Sequence, residues 1–136
     1  MTAENIGDAD QQRLDSLLQA ISSEAGFRVG LNDLIRRWNN FVSQVENEYK
    51  DSLYEYANDL STRDIIERVL RESPATVSSS LFGQVEPLDA RFLRATREVN
   101  RPIQQQHGQP SFWWYRVPAK PSPELHGDLQ SEGIVS

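Results

Sequence analysis

No cysteine occurs among the 136 residues. That absence removes disulfides, thiolate catalysis and cysteine-ligated zinc from consideration. Histidine is scarce. His107 and His126 each precede a glycine, with no His-x-x-x-His or Glu-x-x-His spacing to hold a metal, and both read as surface residues. The seven glycines are scattered, so there is no Gly-rich loop to cradle a phosphate. No serine lies in a Gly-x-Ser-x-Gly elbow, and no block recurs at a fixed period. Long apolar runs are also missing: none approaches the roughly 20 residues that span a bilayer. Met1 to Asp10 is polar and acidic, unlike the basic-then-apolar start of a secretory leader. The expectation is a soluble cytoplasmic protein with no cofactor and no membrane association.

Leu, Ile, Val and Phe number 34 of 136, a quarter of the chain and above the roughly 20% below which disorder is expected. A chain of this size buries about two-thirds of its unfolded surface, enough for a core without staples. Acids outnumber bases 20 to 14, a net charge of −6, which argues against nonspecific attraction to nucleic acid or to an anionic membrane. The charge is unevenly spread. Residues 1–72 carry 14 acids and 8 bases, and residues 73–136 carry six of each. Within these halves, 43–59 sums to −4 and 91–120 to +5.

The apolar residues recur at helical spacing. Leu14, Leu17, Leu18 and Ile21 mark one face of a helix over about 10–24, with Gly26 as its stop. Leu31, Ile35, Trp38, Val42, Val45, Tyr49, Ser52 and Tyr56 alternate spacings of four and three. With no Gly or Pro to interrupt, they predict one long helix over about 31–60, roughly 42 Å at 1.5 Å per residue. Ser61 with Asp64 resembles a capping box that starts a shorter helix over about 62–72. Residues 75–99 predict two helical pieces, with Pro87 in the first turn of the second. Phe112-Trp113-Trp114-Tyr115 predicts extended backbone. Residues 121–136 read as a weakly ordered tail. The fold expected is mainly α: one helical domain over 1–120, built around the long helix, with an extended aromatic C-terminal segment. The alternative is an α+β domain with a small sheet from 77–85, 90–99 and 112–117.

Two charged constellations invite a functional reading. Glu48, Asp51, Glu55 and Asp59 fall at spacings of 3, 4 and 4 beside the apolar seam. A carboxylate stripe can bind a divalent metal, but bundle sites of that kind use a Glu-x-x-His pair that is missing here, so a solvated or ion-paired face is expected. The basic stretch contains Arg91 and Arg94 on one helical side and leads into Trp113, Trp114, Tyr115 and Arg116. Trp, Tyr and Arg are the residue types enriched at interface hot spots. These six residues are the candidate partner-binding site of a small protein-interaction module: an adaptor, an immunity or antitoxin-type inhibitor, or an assembly partner, without catalytic activity. Homodimerisation through the long helix is a second use of the seam. One alternative is nucleic-acid binding by 91–120, with stacking aromatics; the other is an enzyme with a carboxylate site.

Overall fold

Gly26 ends the first helix, α1 (Asp8–Ala25), in the left-handed conformation at φ 82°, where a side chain would be strained. The computed structural model describes residues 7–103 and 110–136; His107 lies outside them. Four further α-helices follow: α2 (Leu31–Asn47), α3 (Leu53–Glu72), α4 (Ala75–Ala95) and α5 (Pro123–Ser131). Strands β1 (Thr96–Glu98) and β2 (Arg116–Pro118) pair antiparallel, with Arg97 opposite Val117. The architecture is a mainly α bundle with a small two-stranded sheet. Helices α2, α3 and α4 pack on one another, while α1 and α5 both dock on α3.

The long helix expected over 31–60 is two helices. The chain turns at 48–52, where Glu48 is extended, and Ser52 caps α3 by accepting a bond from the Glu55 amide at 3.3 Å. Ser52-Leu53-Tyr54-Glu55 has the capping-box spelling. It outcompetes Ser61/Asp64, which lies inside α3, where the Ser61 hydroxyl bonds back to the Asn58 carbonyl at 2.6 Å. The turn folds Tyr49 inward. Its ring and those of Phe41 and Tyr56 meet edge-on at 5.2–5.7 Å. The Asp128 carboxylate of α5 accepts the Leu53 amide at 3.0 Å, satisfying a donor of the first turn of α3. The seam offered for a homodimer is thereby filled within the chain: Leu34, Trp38, Phe41, Val42 and Val45 are all buried.

Residues 75–95 form one helix rather than two pieces, and Pro87 sits in its interior. Val77, Leu81, Val85, Leu88 and Phe92 keep one buried stripe through the proline. Gly83, four residues earlier, loses its amide partner, but both positions are exposed, so water solvates the orphan carbonyl. Residues 77–85, a strand in the α+β alternative, are helical.

The aromatic segment is corrected too. Phe112–Tyr115 is a 3₁₀ turn, and extended backbone begins only at Arg116. The final segment is no loose tail. Ser122 caps α5 by accepting the Leu125 amide, and Leu125, Leu129 and Ile134 join the buried cluster shared with α2, α3 and α4.

Candidate functional site

Consecutive residues of α3, Arg63 and Asp64, organise the aromatic segment from below. Arg63 is 4% exposed. Its guanidinium grips Asp89 of α4 through two bonds of 2.9 and 3.0 Å and reaches Glu67 at 3.1 Å. The same Asp89 carboxylate accepts the Trp38 indole N–H at 2.9 Å. Arg63 also lies 4.6 Å from the Trp113 ring centroid, a cation–π contact that helps cover a buried charge. Asp64 accepts the Ser111 hydroxyl at 2.8 Å and the Trp114 indole N–H at 2.6 Å. These bonds explain the turn. A strand would send Trp113 and Trp114 to opposite faces, whereas the 3₁₀ turn lets both reach α3.

The expected partner-binding residues therefore divide. Trp114 is 1% exposed and belongs to the core. Trp113 is half-buried against Trp38 and Phe92, at 6.0 and 5.8 Å between centroids. Tyr115 is half-buried, and its carbonyl accepts the Val99 amide at 2.8 Å. Arg116 closes the C-terminal end of α4: it donates to the Leu93 and Thr96 carbonyls at 3.0 and 2.9 Å and to the Thr96 hydroxyl at 3.0 Å. A cation on the last carbonyls of a helix meets the negative end of its dipole. Arg91 pairs with Glu46 of α2 through bonds of 2.9 and 2.8 Å, and also holds Asn39 and Ser43. The Arg91 bond holds the Glu46 carboxyl below its ordinary range, and Glu46 in turn raises Arg91. So part of the basic stretch is neutralised by the acidic one, as their opposite charges suggested.

What remains outside is a different set. Phe112 is 49% exposed and Leu93 37%. Arg116 joins them, bonded to the Leu93 carbonyl and lying 5.8 Å from the Phe112 centroid. Phe82, 50% exposed, lies eleven residues before Leu93 on α4, three turns away on the same side. Arg94, Arg97 and Lys120 are also exposed; Arg94 and Lys120 line a separate cleft shared with Glu46 and Arg91, and Arg97 lines one that includes Glu98. Among the described residues, none of the three has a carboxylate within 4.0 Å. Phe112 was legible as part of the aromatic run. Leu93 was not, because only the turn at 112–115 brings it beside Phe112.

The carboxylate stripe is also broken. Glu48 and Asp51 fall in the connection, while Glu55 and Asp59 lie on α3. Among the described residues no group of three or more His, Asp or Glu side chains is placed to hold a metal ion. Asp59 instead accepts the phenol of the buried Tyr49 at 2.7 Å. Burial, with Glu55 and Asp51 nearby, pushes the Asp59 carboxyl above its ordinary value. Burial and Asp59 raise the Tyr49 phenol, so it stays a neutral donor. His126 is exposed on α5. No helix among the described residues is long and apolar enough to cross a membrane. The chain matches no protein-family model, no curated protein and no solved structure.

Proposed function

We propose that this chain is a non-catalytic protein-interaction module that docks an acidic partner on the face around Leu93, Phe112 and Arg116. The reading rests on one observation: the exposed apolar side chains of Leu93 and Phe112 flank Arg116, which is bonded to the Leu93 carbonyl and lies 5.8 Å from the Phe112 centroid. Apolar anchors inside a charged rim suit a specific protein contact. Arg116, with the exposed Arg94 and Arg97 that closely follow Leu93 in the chain, supplies positive charge for an acidic partner surface. The site expected from sequence thus changes in composition. Trp113 packs edge-on against Phe112 and Trp114 is buried, Arg91 is tied to α2, and Phe112 and Leu93 present the face. Nucleic-acid binding draws less support, because the net charge is −6 and Trp114 is buried and committed to Asp64, which leaves Phe112 as the exposed ring of the segment.

The test is affinity capture from the native cell with three baits: the natural chain, a Leu93→Ser/Phe112→Ser double variant, and Arg94→Glu. All three positions are exposed, so the variants are expected to keep the far-ultraviolet circular dichroism of the natural chain. The partner retained by the natural chain should be lost from the double variant and weakened by Arg94→Glu. Equal retention of the same proteins by all three baits rejects this face.

A further inference from the structure

A concave feature lies between α2 and α3. It is a cleft of about 750 Å³, within the size range of small-ligand sites. One wall is a face of α2: Arg37, Asn40, Phe41 and Gln44, at helical spacings of 3, 1 and 3. The other is a face of α3 that includes Asn58, Asp59 and Thr62. Phe27, from the α1–α2 connection, closes one end beneath the Arg37 guanidinium, 4.4 Å from the ring centroid.

The charges in this cleft are opposite and unjoined. Asp59 on one wall and Arg37 on the other are each more than 4.0 Å from any opposite charge among the described residues. Asp59 is half-buried, lines the cleft and has one oxygen bonded to Tyr49, which steadies the carboxylate. Arg37 is steadied by its cation–π contact with Phe27. Asn40, Gln44 and Asn58 add three carboxamides, each with donors and an acceptor of the kind that match peptide groups.

We propose that this cleft binds a short peptide with both ends free, its ammonium on Asp59, its carboxylate on Arg37 and its amides on the carboxamides. A ligand ammonium would relieve the like-charge pressure of Glu55 and Asp51 on Asp59, which the Tyr49 hydrogen bond and the Arg37 charge counter. A guanidinium stacked on a ring is preorganised to meet a carboxylate through two parallel bonds.

The experiment is an NMR titration of the full-length ¹⁵N-labelled protein with trialanine. The expected result is a saturable shift of the side-chain resonances of Asn40, Gln44, Asn58 and Arg37. Acetylating the peptide's amine or amidating its carboxylate should each weaken binding about tenfold. Free alanine, which has both charges and no peptide group, should bind more weakly than trialanine. Asp59→Asn keeps an acceptor for Tyr49 and should no longer distinguish the free amine from the acetylated one. Arg37→Gln, at an exposed position, should no longer distinguish acid from amide. No saturable shift up to about 10 mM, a threshold matching a weak single-site affinity, overturns the proposal. So does equal affinity for any capped peptide or for alanine, or unchanged discrimination by the folded Arg37→Gln variant.

Discussion

Arg63 is a buried charge with a largely buried carboxylate partner. Its side chain is 5% exposed and that of Asp89 14%, and the pair is joined by two short bonds. Both charges gave up hydration to reach this position, so removing one strands the other. Arg63→Ala should cost about 3–5 kcal/mol of folding stability, read as a lower urea midpoint, and should also loosen Trp113, whose ring loses its cation. Tryptophan fluorescence reports the second effect. Asp59 gives a residue-scale prediction with a sign. Its folded pKa lies above the ordinary 3.8, so the ionised form is the one that the fold disfavours. Stability linked to Asp59 is fully present when it is protonated and is lost as pH rises through its folded pKa. Asp59→Asn should therefore match or exceed the natural chain at neutral pH. The gap should close as pH falls through that raised pKa, in paired urea titrations. Glu24 and Glu46 run the other way. Arg68 and Arg91, respectively, hold their carboxyls low, so their stabilisation is lost as pH falls through the depressed values. Both lie at the surface, where solvent screening keeps that contribution small.

The helix boundaries show how local signals are ranked at the scale of an element. Ser52/Glu55 and Ser61/Asp64 are both written as capping boxes, yet only the first starts a helix. The choice lies in the partners. A turn at 48–52 buries Tyr49 and gives the Leu53 amide an acceptor in Asp128, whereas a turn at 61 would pull Arg63 and Asp64 from the aromatic segment. In α4 the contest runs between Pro87 and a buried stripe, and the stripe wins. The proline still costs backbone bonding. Pro87→Ala restores the amide that Gly83's carbonyl lacks and should raise stability by about 1–3 kcal/mol, seen as a higher thermal midpoint. A fall in midpoint would mean that α4 is bent to fit its neighbours at Pro87.

For the whole molecule, the C-terminal helix is the element whose importance sequence composition understated. The polar, glycine-containing stretch after Pro121 resembles a tail, but Leu125 and Leu129 are 0% and 1% exposed. Leu129→Ala should cost about 2–5 kcal/mol, the range for a buried leucine truncated in a packed site. Chemical denaturation measures it, and a cost under 1 kcal/mol would return α5 to the status of a tail. The mainly α class, the first helix with its Gly26 stop, and the pairing of opposite charges were legible because they follow from short-range spacing and from composition. The candidate site was legible only in outline. The run 112–116 was correctly singled out, but which of its rings face water was hidden. Trp114 and Asp64 are 50 positions apart, and Trp38 and Asp89 are 51 apart.

By itself, then, the sequence determined that the chain is mainly helical, that cysteine chemistry is excluded, and where cations and aromatic rings are concentrated. Tertiary structure decided where the seam breaks, that a proline stays inside a helix, and that Phe112 rather than Trp114 faces outward. The physical reason is range. Helical periodicity is a property of neighbouring backbone angles, whereas the side on which a ring is buried depends on polar groups from distant segments that only the folded chain brings within hydrogen-bonding distance.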